Sequence, residues 1–193
     1  AWFWIVGTAG MTTLLLGAYV AIFQHDLKGL LAYSTISHLG LITLLLGFDS
    51  ELALVAAIFH IINHATFKAS LFMGAGALLH AVGSRFMTDM GGLKKHMRKS
   101  YIFMLLAALS LAGAPLITSG FWSKDAIFAA VLESGYTYAW PLFIVATLVA
   151  VMTAFYTFRM IGMAFFGKES KHIEEMERKG HHIHEVGPIM WVP

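Results

Sequence analysis

The chain alternates between long apolar stretches and short polar ones. The apolar stretches cover residues 2–23, 30–47, 52–82, 101–133 and 139–166. A transmembrane helix needs roughly 20 consecutive, mostly apolar residues, so the first, second and fifth stretches each fit one helix. This alternation predicts an all-α, polytopic membrane protein with about five spans.

The fourth apolar stretch is too long for one straight span and contains helix-breaking residues near its centre. Pro115 lies there, and proline removes a backbone donor and clashes with the preceding helical turn. The pattern predicts two half-helices, 101–112 and 121–133, with an irregular segment near 113–120. Irregular backbone at membrane depth is tolerated where protein or a polar cavity surrounds it, and discontinuous helices mark ion or substrate sites in transporters.

The composition supports a membrane protein and limits its chemistry. Hydrophobic residues make up 58% of the chain and charged residues 12%, about half the charge of a typical soluble domain. The sequence contains no cysteine, which excludes disulfides, iron–sulfur ligation and cysteine-based zinc sites. We therefore expect no redox centre, cofactor or metal in this chain.

Two regions of unequal length are expected. Residues 1–167 would form the five-helix transmembrane unit, and residues 168–193 a cytoplasmic loop followed by the start of another span. Residue 1 lies inside an apolar run and residues 188–193 resemble the beginning of a span, so we expect the sequence to be a piece of a longer chain.

Most of the 13 lysine and arginine residues lie in three polar segments: 24–29, 83–100 and the tail after 166. The other two connections, near 48–51 and 134–140, contain no lysine or arginine. With five spans, the three basic segments fall on one side of the membrane. The excess of basic residues in cytoplasmic loops makes that side cytoplasmic.

Three basic residues, Lys68, Lys124 and Arg159, remain inside the apolar stretches. A lysine or arginine at the centre of a span costs roughly 2.5–3.5 kcal/mol on insertion scales. Arg159 lies close enough to the basic side to reach it with its long side chain, which indicates an anchoring role. Lys68 lies too deep for that and needs another explanation.

His60 and His64 precede Lys68 by eight and four residues, so the three side chains share one face of a helix. Neutral imidazole offers one donor and one acceptor nitrogen, and a lysine removed from water releases its proton more readily. The row therefore predicts a proton path. The alternative is structural, with packed histidines and a Lys68 that pairs with a distant carboxylate.

Lys124 is expected in the first turn of the second half-helix, next to Asp125. The positive end of the helix dipole would favour an ionised Asp125 and disfavour charge on Lys124. This arrangement predicts that both residues take part in proton translocation. An ion pair that only caps the half-helix is the alternative.

Other polar residues in the spans could line a path for water or pack between helices. The candidates are Ser34, Ser37, His38, Thr118 and Ser123. In the tail, His181, His182 and His184 form a histidine tract that could bind a metal, although a solvated loop of mixed charge is the preferred interpretation.

Five sequence motifs, in order along the chain, resemble those of the antiporter-like subunits of respiratory complex I and of the related A-type chain of the Mrp cation/proton antiporters. They are HDLKGLLAYSTIS at 25–37, FHIINHATFKA at 59–69, DMGGL at 89–93, PLITSGFWSKD at 115–125 and TAFYTFRM at 153–160. The last two motifs resemble those of the distal, L-type subunit, and NHATFK at 63–68 is closer to the Mrp chains. His25 departs from the threonine or serine usual in the family.

The resemblance implies that the chain is the second of two inverted five-helix repeats. It further implies that Lys68 is the central proton carrier, that Lys124 faces the exit side, and that His60 and His64 bridge water chains. We accordingly expect a non-redox, proton-translocating subunit of an NADH:quinone oxidoreductase. Its partners would be the lipid bilayer and a neighbouring antiporter-like subunit, with no nucleic acid, in a bacterial or archaeal plasma membrane.

Three other functions stay open at this point. The chain could belong to an Mrp-type Na⁺/H⁺ antiporter, or to the equivalent part of a membrane-bound hydrogenase or bicarbonate-uptake complex. It could be a structural membrane subunit whose buried lysines are locked in ion pairs. It could also carry a metal on its histidine tract.

Overall fold

The computed structural model describes residues 2–48, 50–185 and 187, and these residues form a helical bundle. A short 3₁₀ helix, Met87–Asp89, lies between the third and fourth α-helices. The α-helices are α1 (Trp2–Phe23), α2 (Leu27–Leu46), α3 (Glu51–Val82), α4 (Arg98–Ala112), α5 (Ser119–Leu132), α6 (Ala139–Phe165) and α7 (Lys171–Arg178). The predicted all-α class is confirmed.

Four of these helices, α1, α2, α3 and α6, are long and apolar enough to cross a membrane. Helices α4 and α5 have 15 and 14 residues. At 1.5 Å per residue each is about 21–23 Å long, shorter than the roughly 30 Å hydrocarbon core. Neither can cross a bilayer alone, and the number of crossings stays a prediction.

The chain is irregular between α4 and α5, where the helix breakers lie. Gly113 ends α4 in the left-handed conformation, with φ 81°, and the Thr118 hydroxyl caps α5. Beyond α5, Tyr136 stacks on Phe3 near the start of α1, at the end of the bundle opposite to the start of α4. Together the two short helices therefore carry the chain from one end of the bundle to the other.

The irregular segment lies at the surface of the described bundle. Leu116 and Ile117 are 73% and 82% exposed, and Leu116 has a positive φ of 68°. The expectation that protein or a polar cavity surrounds this segment is not met within the described chain, because these two apolar side chains point outward.

Helices α1 and α2 approach each other at positions that only glycine can occupy. A Cβ atom built on Gly10 would meet the backbone of Leu44, and one built on Gly40 would meet the backbone of Leu14. Gly17 contacts the backbone of α2 in the same way. Small residues allow such close packing of membrane helices, and here they set the position of α2.

The basic segments that the sequence places on one side meet at one end of the bundle. The backbone N–H of Leu27 donates to the carbonyl of Arg85 at 2.9 Å, and that of Met87 donates to the carbonyl of His25 at 2.9 Å. Asp26 forms an ion pair with Arg85 at 3.2 Å. We call this end of the bundle, formed by loops 24–26 and 83–97 and by the tail, the basic end.

The tail packs against this end through two apolar side chains, whereas His181, His182 and His184 are exposed. Ile173 and Ile183 are buried in the same apolar core as the membrane helices. Glu185 accepts hydrogen bonds from the Lys99 backbone N–H at 2.7 Å and the Ser100 hydroxyl at 2.5 Å. Because Met97 offers no side-chain cap to α4, Glu185 satisfies donors at the start of that helix. The start of a further span, predicted at 188–193, lies outside the described residues.

Replacing Gly40 with alanine should destabilise the bundle. The new Cβ would meet the backbone of α1, and overpacking of this kind costs about 1–3 kcal/mol. The matched control is Gly76→Ala in α3, where a Cβ meets nothing within 4 Å; this change should be neutral or stabilise by about 0.5–1 kcal/mol. Thermal unfolding of the full-length protein in detergent measures both, and equal midpoints for the two variants would contradict the packing assigned to α1 and α2.

Candidate functional site

Two lysines lie in the interior of the bundle without a carboxylate partner. Lys68 is 5% exposed and Lys124 is 9% exposed. Among the described residues, the ion pairs within 4 Å join Arg85 to Asp26 and His96 to Glu169, and neither includes a buried lysine. The alternative that these lysines are locked in ion pairs therefore has no support in the described chain.

Lys68 is held by neutral oxygen atoms from α2. Its ammonium donates to the Ser34 hydroxyl at 2.5 Å and to the Leu31 carbonyl at 3.2 Å. The Tyr156 hydroxyl of α6 donates to the same Ser34 oxygen at 2.9 Å and lies 3.3 Å from the Thr153 hydroxyl. Both the charged and the neutral form of lysine can donate hydrogen bonds to these oxygen atoms. Because the acceptors carry no charge, loss of a proton from Lys68 leaves no buried anion without a partner.

Three buried histidines on α2 and α3 form a cluster that also contacts α5. The Nδ1 atom of His38 on α2 lies 2.9 Å from Nε2 of His60 on α3. On its other side, Nδ1 of His60 lies 3.1 Å from the Ser123 hydroxyl on α5. In the His38–His60 pair one nitrogen donates and the other accepts. A shift of tautomer therefore moves a proton position along this chain.

The row of His60, His64 and Lys68 is buried on one side of α3, but its contacts run across the bundle. The rings of His60 and His64 are 6.2 Å apart, and each lies 5.2 Å from the ring of His38. The first separation is too long for a direct hydrogen bond. His38 packs against both rings and forms a hydrogen bond with His60. The Nε2 atoms of His38 and His64 are buried and have no hydrogen-bond partner among the described residues.

Lys124 binds the C-terminal end of α4. Its ammonium donates to the Leu111 carbonyl at 2.6 Å. The last carbonyls of a helix lack partners within it and carry partial negative charge, so the end of α4 stabilises a cation there. The break between α4 and α5 thus supplies the acceptor. Lys124 occupies the second turn of α5, not the predicted first, because the helix begins at Ser119.

Asp125 does not pair with Lys124 and does not cap α5. Its side chain is exposed, and it forms no ion pair with the described residues. The cap is Thr118, whose hydroxyl accepts from the Phe121 N–H at 3.3 Å and donates to the Ala114 carbonyl at 2.8 Å. The capping ion pair considered from the sequence is therefore wrong, and Thr118 lies outside the buried cluster.

The close approach of α5 to α4 fixes the positions of Ser123 and Lys124. A Cβ atom on Gly120 would collide with the Ser110 carbonyl, so only glycine allows this contact. The Ser123 hydroxyl also lies 3.2 Å from the Gly120 carbonyl. The glycine of the predicted break therefore sets the geometry of both polar residues that follow it.

A cavity of about 20 Å³ lies between Lys124 and His38, and Ser37 and Thr153 contribute to its wall. This volume is the space open to the centre of a water-sized sphere, and about 10–15 Å³ of it is needed to hold one water molecule. The space beside His38 and Lys124 is thus large enough for one water, although most of its wall is apolar and the Thr153 hydroxyl donates to the Val149 carbonyl at 2.8 Å. Ser37 itself donates to the Leu14 carbonyl at 2.9 Å.

Sequence reasoning missed Tyr156 and Thr153 as members of the site. A signal for them exists, because Thr153, Tyr156 and Thr157 place three polar side chains at helical spacing within an apolar span, and all three are buried. Arg159 behaves as predicted: its guanidinium donates to the Gln24 carbonyl, just beyond the end of α1 at the basic end.

Comparison with known proteins assigns this helical bundle to a family. A family model described as NADH:quinone oxidoreductase/Mrp antiporter, transmembrane, matches residues 1–153. The chain belongs to this family. It is therefore an integral membrane protein, and the resemblance deduced from the five motifs is confirmed.

Named relatives of this family member include components of both antiporters and oxidoreductases. It is 52% identical over 185 residues to the probable K⁺/H⁺ antiporter A/B chain of Rhizobium meliloti, a match that covers 94% of this chain and 18% of the relative. It is 39% identical over 180 residues to the L chain of the NADH-quinone oxidoreductase of Escherichia coli, covering 93% of this chain and 28% of that relative. The chain thus spans less than a third of these relatives.

The fold matches a solved structure of a multisubunit assembly. A chain of the Mrp complex from Dietzia sp. superposes with a TM-score of 0.77 and 40% sequence identity. The match covers 90% of this family member and 19% of that chain. Its structural neighbour is therefore one part of a larger membrane complex.

The Tyr156–Ser34 hydrogen bond can be tested by a double-mutant cycle. Because Tyr156→Phe and Ser34→Ala remove the two partners of one contact, their effects on unfolding should be non-additive by about 0.5–1.5 kcal/mol. The control cycle pairs Tyr156→Phe with Ser37→Ala, whose hydroxyl binds Leu14 instead. Thermal unfolding in detergent gives both coupling energies, and equal values in the two cycles would refute the contact.

Proposed function

We propose that this chain carries protons through a membrane, as one helical unit of a multisubunit ion-translocating complex. The observation that supports the proposal is a buried array whose members are Lys68, Ser34, Tyr156, His38, His60, His64, Ser123 and Lys124. The array contains three hydrogen-bonded groups with neutral partners, centred on Lys68, His60 and Lys124, and these groups involve α2, α3, α5, α6 and the end of α4. His64 packs against His38. Ionisable residues at membrane depth are costly and mark ion paths and proton relays in membrane proteins.

The array has two lysine ends and a histidine centre. A proton on Lys124 would pass through a water in the adjoining cavity to Nε2 of His38, which has no other partner among the described residues. From His38 it would move to His64, whose own Nε2 also lacks a hydrogen-bond partner in the described chain. The last step reaches Lys68, four residues along α3. His60 and Ser123 would set the tautomer of His38 through their hydrogen bonds.

The chain would act as a translocase without a redox centre of its own. Charge changes in neighbouring subunits would alter the proton affinity of the lysines, since opposite or like charges act strongly in a medium of low dielectric constant. Asp125, exposed one residue from Lys124, is placed to face such a neighbour. By the positive-inside rule the basic end would be cytoplasmic, in the plasma membrane of a bacterium or archaeon.

Two parent assemblies remain as candidates. The 52% identity to the K⁺/H⁺ antiporter chain favours a cation/proton antiporter. The L-type motifs and the 39% identity to the oxidoreductase chain support an NADH-driven complex as the second candidate. The buried array serves either one, because it contains no group that is specific for the source of energy.

Replacing Lys68 or Lys124 by alanine should abolish most proton transport. A positioned proton-transfer group contributes roughly 10²–10⁴-fold in enzymes, so we expect a fall of about tenfold or more. The control is Lys28→Ala at the exposed basic end, which should transport normally. Proton movement is measured in sealed everted vesicles that contain the full-length protein with its complex. Normal transport by both interior variants would refute the proposed path.

The driving force is tested in the same vesicles with the unaltered protein. An added K⁺ or Na⁺ gradient should move protons without NADH if the parent complex is an antiporter. Proton uptake that requires NADH oxidation and ignores the cation gradient would identify the oxidoreductase instead. In either case Lys68→Ala should remove the response, which keeps the test of the path separate from the test of the assembly.

A further inference from the structure

Outside the buried array, three side chains of metal-binding type converge at the basic end. They are His96, Glu169 and Glu177, and one ligand atom of each lies within 4.8 Å of the others. The closest pair is Nε2 of His96 and a carboxylate oxygen of Glu169, at 3.1 Å. All three side chains are partly buried. They come from three segments: the loop before α4, the loop after α6, and α7.

The backbone holds two of these segments together independently of the three side chains. The N–H groups of Gly91, Gly92 and Lys94 donate to carbonyls at the end of α6, at 3.2–3.3 Å. Gly91 has φ 124° and its Cα faces the Lys168 carbonyl so closely that a Cβ would not fit. The loop that carries His96 is therefore fixed against the residues that lead to Glu169.

Helix α7, which carries Glu177, is fixed in the same region. The Ser170 hydroxyl caps the helix by accepting from the Ile173 N–H at 3.3 Å, and it donates to the Asp89 carbonyl at 2.6 Å. Ile173 is fully buried. The three ligand-type residues thus stand on a preformed scaffold, which is what a metal site of defined geometry requires.

The charge at this cluster calls for a cation. Glu177 forms no ion pair or hydrogen bond through its carboxylate with the part of the chain that is described, although the Glu169 carboxylate lies close by. It also occupies the last turn of α7, where the helix dipole disfavours negative charge. Lys94, in the same loop as His96, does not form an ion pair with these carboxylates in the described chain. Its ammonium lies over the rings of Tyr101 and Phe166, 4.9 Å from each.

We propose that His96, Glu169 and Glu177 bind a divalent transition-metal cation of the Zn²⁺ class. One imidazole nitrogen and two carboxylate oxygens suit such an ion, with bonds of about 2.0–2.2 Å and an open position for water. Those bonds place tetrahedral ligand atoms about 3.4 Å apart, and the His96–Glu169 pair is already at 3.1 Å. The Glu177 ligand atom lies within 4.8 Å of the other two, so a rotation of its side chain would have to bring it closer on binding.

This site differs from the histidine tract that the sequence suggests. Among the residues that the structure covers, His181, His182 and His184 do not bring three ligand atoms within 4.8 Å of one another. The Nδ1 atom of His184 lies 3.1 Å from the His182 carbonyl. The proposed ion would connect the loop before α4, the end of α6 and α7, and so fasten the tail to the membrane helices. It also runs against the expectation of no metal in this chain.

The test uses the full-length protein in detergent, stripped with a chelator and titrated with Zn²⁺ against a competing indicator. Wild type should bind one more Zn²⁺ than His96→Ala or Glu177→Gln, or bind it at least about tenfold more tightly. The matched control, His181→Ala, removes an exposed imidazole at the same end and should bind like wild type. Mn²⁺ should bind more weakly than Zn²⁺ at this site.

Thermal unfolding separates metal binding from simple folding defects. Zn²⁺ should raise the unfolding midpoint of wild type and of His181→Ala but not of the two site variants, because a ligand stabilises the state that binds it. Without metal, Glu177→Gln should unfold no earlier than wild type, since it removes a repelling charge. Equal Zn²⁺ affinity in all four proteins would place the ion elsewhere, and absence of binding by wild type would mean that the His96–Glu169 contact forms without a metal. Either result overturns the proposal.

Discussion

The interior of this bundle is built around two lysines that have no counter-charge in the described chain. A buried cation needs hydrogen bonds or a partner of opposite charge, and here oxygen atoms from hydroxyl groups and backbone carbonyls provide them. Ser34 and Leu31 surround Lys68, and Leu111 receives Lys124. The polar residues of α2, the interruption before α5 and the tyrosine of α6 all follow from this requirement.

The interruption between α4 and α5 shows how local sequence becomes a site. An unbroken helix would use the Leu111 carbonyl for its own hydrogen bond, and Lys124 would lack that acceptor. Gly113 ends α4 and Gly120 lets α5 approach it closely. Because α4 ends there, the Leu111 carbonyl is available to Lys124. The same approach aligns Ser123 with His60.

The positions of the helices and the interior lysines were predictable because the length of an apolar stretch and the placement of charges can be read directly along the sequence. The partners were harder to predict. The His38–His60 contact joins α2 to α3 and depends on how two helices are rotated and packed, and the Leu111 carbonyl belongs to the backbone, which no residue pattern marks. Lys124 was placed one turn too early because Thr118 starts α5 sooner than the apolar pattern suggests.

The basic end and the interior of the bundle differ in the partners of their ionisable side chains. At the basic end, polar side chains pair with carboxylates: Arg85 with Asp26, and His96 with Glu169. In the interior, the described cations meet neutral groups, so their proton affinity responds to any charge brought near from outside. The proton affinity of such an array depends on the charge nearby and not on which chemical group carries that charge. Under the proposed function, this would explain how one family can include components of cation/proton antiporters and of oxidoreductases, because the same helices would respond to whichever neighbouring subunit supplies the change in charge.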